Sequence, residues 1–174
     1  MAQEQVILVD EHDRPLGVMD KLAAHENGGV LHRAFSVFLV DPQGRWLLHR
    51  RAAGKYHFPG LWTNACCSHP RPGEKTADAA QRRLREELGI ACPLEERFQF
   101  VYQAGSAAKG LAEHEFDHVF TGVFSGPLHP NPAEVDAVRW VEPADLDREV
   151  SEYPEAFTPW FKLAMDRVRD ALKT

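Results

Sequence analysis

The first half of the chain alternates short apolar segments with groups of turn-forming residues. Residues 6–9 and 18–19 are apolar and flank a turn-rich segment, which predicts two strands. Residues 34–40 form a longer apolar run that predicts a buried strand. The Asp-Pro-Gln-Gly sequence at residues 41–44 is typical of a β-turn, and residues 46–48 would return as the next strand. The pattern therefore predicts a hairpin whose first strand is buried.

A polar loop leads into a segment with the periodicity of an amphipathic helix. Apolar side chains recur there at helical spacing, at Ala77, Ala80, Leu84 and Leu88. Thr76 is a suitable N-cap, and Gly89 is typical of the residue that ends a helix. We therefore predict a helix over residues 76–88 with its apolar face in the core.

The second half of the chain continues with strands and closes with helices. Apolar runs predict strands near residues 98–102, 114–124 and 135–141, whereas residues 50–62 are expected to form an irregular loop. A short helix is expected from Pro143, and Thr158 followed by Pro159 predicts a last helix to about Leu172. This order predicts an α/β fold with a mixed β-sheet flanked by α-helices, as a single domain over residues 1–174.

Composition and charge narrow the class of protein. The chain has 174 residues, of which 44% are hydrophobic and 26% charged, as is typical of a globular protein with a full core. Its net charge of −6 disfavours nucleic-acid partners, which usually require a basic surface. The apolar runs are too short to span a bilayer, so no membrane partner is expected. Three cysteines, two of them adjacent, and an N-terminus without a basic leader favour a cytoplasmic location.

Residues 74–90 carry a spaced set of charged and apolar residues that resembles the Nudix box. The matching positions are Glu74, Arg82, Leu84, Glu86, Glu87, Gly89 and Ile90. Carboxylates on one turn of a helix can hold Mg²⁺, which binds diphosphate oxygens. A solvated, charged helix face is the alternative interpretation of such a run. The complete spacing, which ends at Gly89, favours the Nudix box.

Two positions depart from this box. Ser68 stands where the box begins with glycine, and Arg83 stands where the first glutamate of the Arg-Glu pair belongs. In Nudix hydrolases that glutamate helps to build the metal cluster for water attack, whereas an arginine supplies a phosphate-binding charge. The box is therefore expected to bind a diphosphate without hydrolysing it.

Further motifs make the resemblance more specific. They are Ala24-His25, Leu31-His32, Trp62-Thr63-Asn64, Cys67-Ser68-His69-Pro70, Glu113-His114-Glu115 and Pro159-Trp160. Together with the altered box, they make the chain similar to type I isopentenyl-diphosphate isomerases over roughly residues 6–172. These Nudix-fold enzymes interconvert isopentenyl and dimethylallyl diphosphate in isoprenoid biosynthesis. The resemblance implies that activity, with a short alkenyl diphosphate as the small-molecule substrate.

The resemblance also implies a pair of groups that move protons to and from the substrate. Glu115 would protonate the alkene, and Cys67, as a thiolate, would remove a proton from the resulting tertiary carbocation. The two residues could exchange these roles when the reaction runs in the opposite direction. Tyr102 matches a tyrosine that hydrogen-bonds this glutamate in the family. Cys67 and His69 point to the same side if the chain is extended between them. Closure around the substrate would keep water from trapping the carbocation.

Two metal positions and a group of substrate-binding residues follow from the same resemblance. Three imidazoles and two carboxylates suit one divalent ion, zinc, manganese or magnesium, and would come from His25, His32, His69, Glu113 and Glu115. A Mg²⁺ on the substrate diphosphate would take Glu87 as its side-chain ligand. The remaining substrate-binding positions are Lys21, Arg51, Lys55, Arg83 and Trp160. The indole face of Trp160 would stabilise the carbocation.

Two other classes of protein are weighed against the isomerase. A Nudix hydrolase of a nucleoside diphosphate derivative needs the Arg-Glu pair that Arg83 interrupts. A non-catalytic binding module with the Nudix fold would have no use for Cys67, three candidate metal-binding histidines and two nearby glutamates together. The sequence therefore favours the isomerase.

Overall fold

Nine strands share one sheet within residues 4–55, 57–106 and 110–174, the parts of the chain that the computed structural model describes. In chain order they are β1 (Gln5–Val9), β2 (Pro15–Asp20), β3 (His32–Val40), β4 (Trp46–Arg51), β5 (Trp62–Thr63), β6 (Cys66–Ser68), β7 (Glu95–Ser106), β8 (Leu111–Val123) and β9 (Val135–Val141). The α-helices are α1 (Lys21–Ala24), α2 (Thr76–Leu88), α3 (Pro143–Glu152) and α4 (Pro159–Leu172). Among these described helices, none is both long and apolar enough to cross a membrane.

Strand β3 organises the sheet. Its whole length pairs in parallel with β8, from His32 opposite Glu115 to Val40 opposite Val123. Because β8 takes one edge of β3, the shorter antiparallel pairings with β1, β6 and β4 follow one another along the other edge. β7 extends the sheet beyond β8, and β9 extends it beyond β4. This combination of parallel and antiparallel pairs confirms the predicted mixed sheet.

The two faces of β3 pack against different helices, because successive side chains of a strand point to opposite faces. Phe35 and Val37 belong to a buried cluster with Leu84 of α2. Phe38 belongs to a second cluster with Phe161 of α4. Burial of each large apolar side chain stabilises the fold by about 1.5–3 kcal/mol. The sheet is thus flanked by helices, as the sequence predicted.

Helix α2 confirms the helix predicted over residues 76–88, although its first turn differs from the prediction. The N-cap is Lys75, and Thr76 is the first helical residue, so the threonine side chain caps nothing. Ala77 is exposed rather than buried in this first turn, while Leu84 and Leu88 are fully buried. Gly89 ends the helix with a left-handed φ of 68°, a conformation that glycine adopts without strain.

The segment predicted as an irregular loop at residues 50–62 is partly in strands. Arg50 and Arg51 continue β4 because they pair with β9, at Ala137 and Val135. Trp62 begins β5 by pairing with Arg50. Long-range pairing thus extends β4 beyond its apolar run, and it places Arg51 at the end of a strand rather than in a loop.

Candidate active site

A cavity that opens to solvent lies between β6, β8 and the helices α1, α2 and α4. Its walls gather side chains that are far apart in the sequence: Lys21, Arg51, Lys55, His57, Cys67, Ser68, His69, Arg83, Glu113, Glu115 and Trp160. The candidate catalytic cysteine and glutamate and all four candidate diphosphate-binding cations therefore share one cavity.

Three histidines and two glutamates meet at one wall of this cavity. The candidate ligand atoms of His25, His32, His69, Glu113 and Glu115 all lie within 4.8 Å of one another. His25 Nε2 is 2.9 Å from Glu113 Oε2, and His69 Nε2 is 2.7 Å from Glu115 Oε2. The fold thus brings together the five residues that the sequence analysis grouped as metal ligands.

Strand geometry explains this convergence. Glu113 and Glu115 lie two residues apart on β8 and so share one face. His32 begins β3 directly opposite Glu115, and His69 follows the last residue of β6. His25 is the C-cap of α1. The residues of the cluster therefore lie at the ends of neighbouring elements or on one face of β8.

The histidine rings are oriented as metal ligands are. Nδ1 of His25 lies 2.6 Å from the Lys21 carbonyl oxygen, and Nδ1 of His32 lies 2.7 Å from the Val30 carbonyl oxygen. A proton on each Nδ1 leaves Nε2 with a free lone pair, as in most metal-binding histidines. His32 Nε2 is buried and faces Glu115, with 3.3 Å between this nitrogen and Glu115 Oε2. The donor set therefore fits a divalent cation.

The protonation of His69 and Glu115 also suits a cation. Burial lowers the pKa of His69 to about 3, so its imidazole is neutral. Burial alone would raise the pKa of Glu115, but hydrogen bonds with His32 and His69 hold it well below its usual value. Tyr102 donates its hydroxyl to Glu115 Oε1, and burial raises the pKa of Tyr102 so that it stays a phenol. The predicted contact between Tyr102 and Glu115 is therefore present.

The two adjacent cysteines of β6 point to opposite faces of the sheet. Cys66 lies in the core beside α2, with its Sγ 2.7 Å from Glu87 Oε2. Cys67 lines the cavity instead. Burial raises the pKa of Cys67 to about 12, which favours the thiol over the thiolate.

The basic residues of the cavity are held by neighbouring groups. Arg51 donates from Nη2 to the His57 carbonyl oxygen at 2.9 Å, and its guanidinium lies 5.4 Å from the centre of the Trp160 ring. Trp160 donates its Nε1 proton to Thr63 Oγ1 at 3.0 Å, which fixes the indole. Lys21 pairs with Glu4 at 2.9 Å. The cations and the indole thus have defined orientations on the cavity walls.

Glu87 stands apart from the cluster of histidines and glutamates. It is 2% exposed and lies on α2, one helical turn after Arg83. Its Oε1 is 3.5 Å from Arg83 Nη2, and the same arginine contacts Glu86 at 2.7 Å through Nη1. Glu87 is therefore placed as a separate carboxylate beside a candidate diphosphate-binding cation.

Two residues near the cavity were missed by the sequence analysis. His57 is buried, with Nε2 3.2 Å from Glu113 Oε1. Glu134 pairs with Lys55 at 2.5 Å and with Arg83 at 3.3 Å. His57 lies in a segment rich in glycine and proline, and Glu134 directly precedes β9, so neither carries a periodic signal. Their positions follow only from tertiary contacts.

Comparison with known proteins identifies the family. A NUDIX domain is matched over residues 30–161. An isopentenyl-diphosphate Delta-isomerase 2 of Aromatoleum aromaticum is 52% identical, with 95% of this chain and 87% of that protein covered. An isopentenyl-diphosphate Delta-isomerase of Burkholderia multivorans is 48% identical, over 95% of this chain and 93% of that protein.

Solved structures agree on the fold. The MutT protein of Methanosarcina mazei superposes with a TM-score of 0.66 at 18% identity, covering 83% of this chain and 96% of that one. A crystal structure of a Deinococcus radiodurans protein superposes with a TM-score of 0.70 at 21% identity, covering 86% of this chain and 90% of that one. At 18–21% sequence identity, the similarity to these structures shows only that the fold is shared. The two isomerases, at 48% and 52% identity over 95% of the chain, show the type of enzyme as well. The chain therefore belongs to the isopentenyl-diphosphate Delta-isomerases of the Nudix fold and is an enzyme of that type.

Proposed function

We propose that this enzyme interconverts isopentenyl diphosphate and dimethylallyl diphosphate by proton transfers between the substrate, Cys67 and Glu115. The observation that carries the proposal is the cavity itself. It brings together a thiol, a cluster of histidines and glutamates that could hold a metal ion, and four basic side chains. A diphosphate needs the cations, and an alkene needs an acid and a base. The Nudix hydrolase alternative is not favoured, since the relatives at 48% and 52% identity are isopentenyl-diphosphate Delta-isomerases.

Lys21, Arg51, Lys55 and Arg83 would bind the diphosphate. They come from α1, β4, the following loop and α2, and all line the cavity. Charge-assisted hydrogen bonds from such groups to phosphate oxygens are stronger than neutral ones. The hydrocarbon part of the substrate would then lie against Trp160 and Cys67, which line the same cavity.

Cys67 and Glu115 would exchange the protons of the reaction. They approach from strands on opposite edges of β3, since β6 pairs along one edge and β8 along the other. One group adds a proton to an alkene carbon, which gives a tertiary carbocation, and the other removes a proton from a second carbon. Because the reaction is reversible, each group acts as acid in one direction and as base in the other. Tyr102 orients Glu115 by donating to its Oε1.

Trp160 would stabilise the carbocation between these two steps. An indole face beside a cation contributes about 0.5–2 kcal/mol. The ring is 4% exposed and fixed through its Nε1 bond to Thr63. Burial of the hydrocarbon against this indole also excludes water, which would otherwise add to the cation.

Two cations fit the residues that surround the substrate. His25, His32, His69, Glu113 and Glu115 would hold a divalent ion, and zinc, manganese and magnesium all suit imidazole with carboxylate donors. When bound, this ion supplies positive charge that holds both carboxylates and limits the basicity of Glu115. Glu87 would be the side-chain ligand of a Mg²⁺ on the diphosphate. Its burial beside Arg83 keeps the carboxylate in one orientation.

We infer a cytoplasmic location for this enzyme. Cys66, Cys67 and Cys92 are free thiols in the structure, and a reducing compartment would keep them so. A free thiol at position 67 is also what the proposed proton transfer requires.

The decisive experiment follows the substrate by NMR. Purified enzyme with a divalent metal is expected to convert isopentenyl diphosphate to an equilibrium mixture with dimethylallyl diphosphate and to release no phosphate. A sample treated with a strong chelator should lose this activity. Robust phosphate release from nucleoside diphosphate derivatives, or no conversion of isopentenyl diphosphate with any of the three metals, would contradict the proposal.

Arg83→Glu is expected to raise KM for isopentenyl diphosphate more than about tenfold, because it replaces a phosphate-binding charge by a repelling one. Steady-state kinetics measures this change. Arg85→Glu is the matched control, since it makes the same charge change at an exposed position of the same helix. An unchanged KM in Arg83→Glu would show that Arg83 does not contact the diphosphate.

A further inference from the structure

One acidic side chain contacts two of the cations that line the cavity. One oxygen of Glu134, Oε2, is 2.5 Å from Lys55 Nζ and 3.3 Å from Arg83 Nη2. Burial alone would raise the pKa of Glu134, but the hydrogen bond from Lys55 and the charges of Lys55 and Arg83 lower it. Glu134 is therefore an ionised carboxylate shared by two cations from different parts of the chain.

The backbone around Glu134 is tied to the two elements that carry these cations. Its carbonyl oxygen accepts a hydrogen bond from Ala52 N at 3.1 Å, just after β4. Asn131 N donates to the Glu87 carbonyl oxygen at 2.9 Å, and His129 N donates to that of Leu88 at 2.8 Å, both at the end of α2. The carboxylate thus has a fixed position relative to both β4 and α2.

The two cations depend on Glu134 to different degrees. Arg83 also contacts Glu86 at 2.7 Å and Glu87 at 3.5 Å, so it keeps two partners if Glu134 is removed. Lys55 forms its ion pair with Glu134 alone within the described residues. Lysine has a flexible side chain with a high conformational entropy, so loss of this ion pair would leave its ammonium group unrestrained.

We propose that Glu134 is a positioning residue for diphosphate binding, which holds Lys55 and Arg83 together before the substrate arrives. The shared carboxylate offsets the repulsion between the two cations and keeps their donor groups directed at the cavity. This inference rests on the proposed function, in which Lys55 and Arg83 bind the diphosphate. Substrate then meets a prepared pair of cations, so less ordering is required on binding.

Glu134→Ala is expected to raise KM for isopentenyl diphosphate about tenfold and to change kcat by less than about twofold, because preorganised binding is lost and the proton-transfer groups are untouched. Affinity for inorganic diphosphate, measured by calorimetry with Mg²⁺, should fall by a similar factor. Glu134→Gln retains an oxygen acceptor without the charge, and it should give a smaller rise in KM. This isosteric variant also serves if Glu134→Ala does not fold.

Glu149→Ala is the matched control. Glu149 pairs with Arg139 at 2.5 Å and has a similar exposure of 30%, against 24% for Glu134, but its partner Arg139 is not among the residues that line the cavity. The KM of the Glu149→Ala variant for isopentenyl diphosphate should stay at the wild-type value. An unchanged or lowered KM in both Glu134 variants would overturn the positioning role, and a lowered KM would mean that the carboxylate competes with the diphosphate.

These measurements distinguish failure of the proposed function from failure of the positioning role of Glu134. If the wild-type enzyme does not convert isopentenyl diphosphate, the proposed function fails whatever the variants do. If the wild type converts it, and Arg83→Glu raises KM while Glu134→Ala does not, the function stands and the role of Glu134 alone is wrong.

Discussion

Cys67→Ala is expected to lower kcat for isopentenyl diphosphate by about 10³-fold or more, because it removes one of the two groups proposed to move protons. Substrate binding should survive, since the four cavity cations come from other segments of the chain. Kinetics gives the loss of turnover, and calorimetry with inorganic diphosphate gives the retained binding.

A second buried cysteine provides the control for this change. Cys92 is 3% exposed and packs in the core on the α2 side of the sheet, so Cys92→Ala removes the same atoms away from the cavity. It should keep wild-type turnover in the folded fraction. A Cys67→Ala enzyme that retains most of its turnover would exclude a direct role for the thiol.

His69→Ala is expected to lower affinity for the proposed divalent ion by more than about 100-fold, since loss of a proposed direct ligand should exceed the effect of losing an outer hydrogen-bond partner. It also removes the imidazole that is 2.7 Å from Glu115 Oε2. Elemental analysis after gel filtration should show depleted metal. Turnover should fall with it, and thermal unfolding should become insensitive to strong chelators.

His114→Ala distinguishes a specific ligand from any nearby histidine. His114 lies between Glu113 and Glu115 on β8, but its side chain is not among those that cluster. This variant should retain metal and activity. Active wild-type enzyme without bound metal, or equal metal loss in both variants, would contradict the assignment of the cluster.

Local patterns were sufficient to predict most elements of the fold. The strand at residues 135–141 was predicted with the bounds that the structure shows, and helix α2 ends at Leu88 as predicted but begins at Thr76, which was expected to be its N-cap. Both are periodic segments with clear ends, such as Gly89 after α2. Errors occurred where long-range contacts compete with local signals. Arg50 and Arg51 are charged and follow an apolar run, yet pairing with β9 keeps them in β4.

The sequence by itself determined the types of residue available for chemistry and their local direction. The period of two along a strand places Glu113 and Glu115 on one face, and it separates Cys66 from Cys67. Arginine at position 83 of the Nudix box favoured an isomerase over a hydrolase in the sequence analysis, because a guanidinium cannot ligate a cation. These features are local, so they can be read along the chain.

Only the tertiary structure decided which of these residues meet and in what protonation state. Pairing of β3 with β6 on one edge and β8 on the other brings Cys67 and Glu115 to one cavity. Burial in that cavity raises the pKa of Cys67 to about 12, which depends on surroundings contributed by distant segments. The position of Glu134 between Lys55 and Arg83 likewise depends on backbone hydrogen bonds from the preceding loop to the end of α2. No local pattern encodes such contacts, because they join residues that only the packed chain brings together.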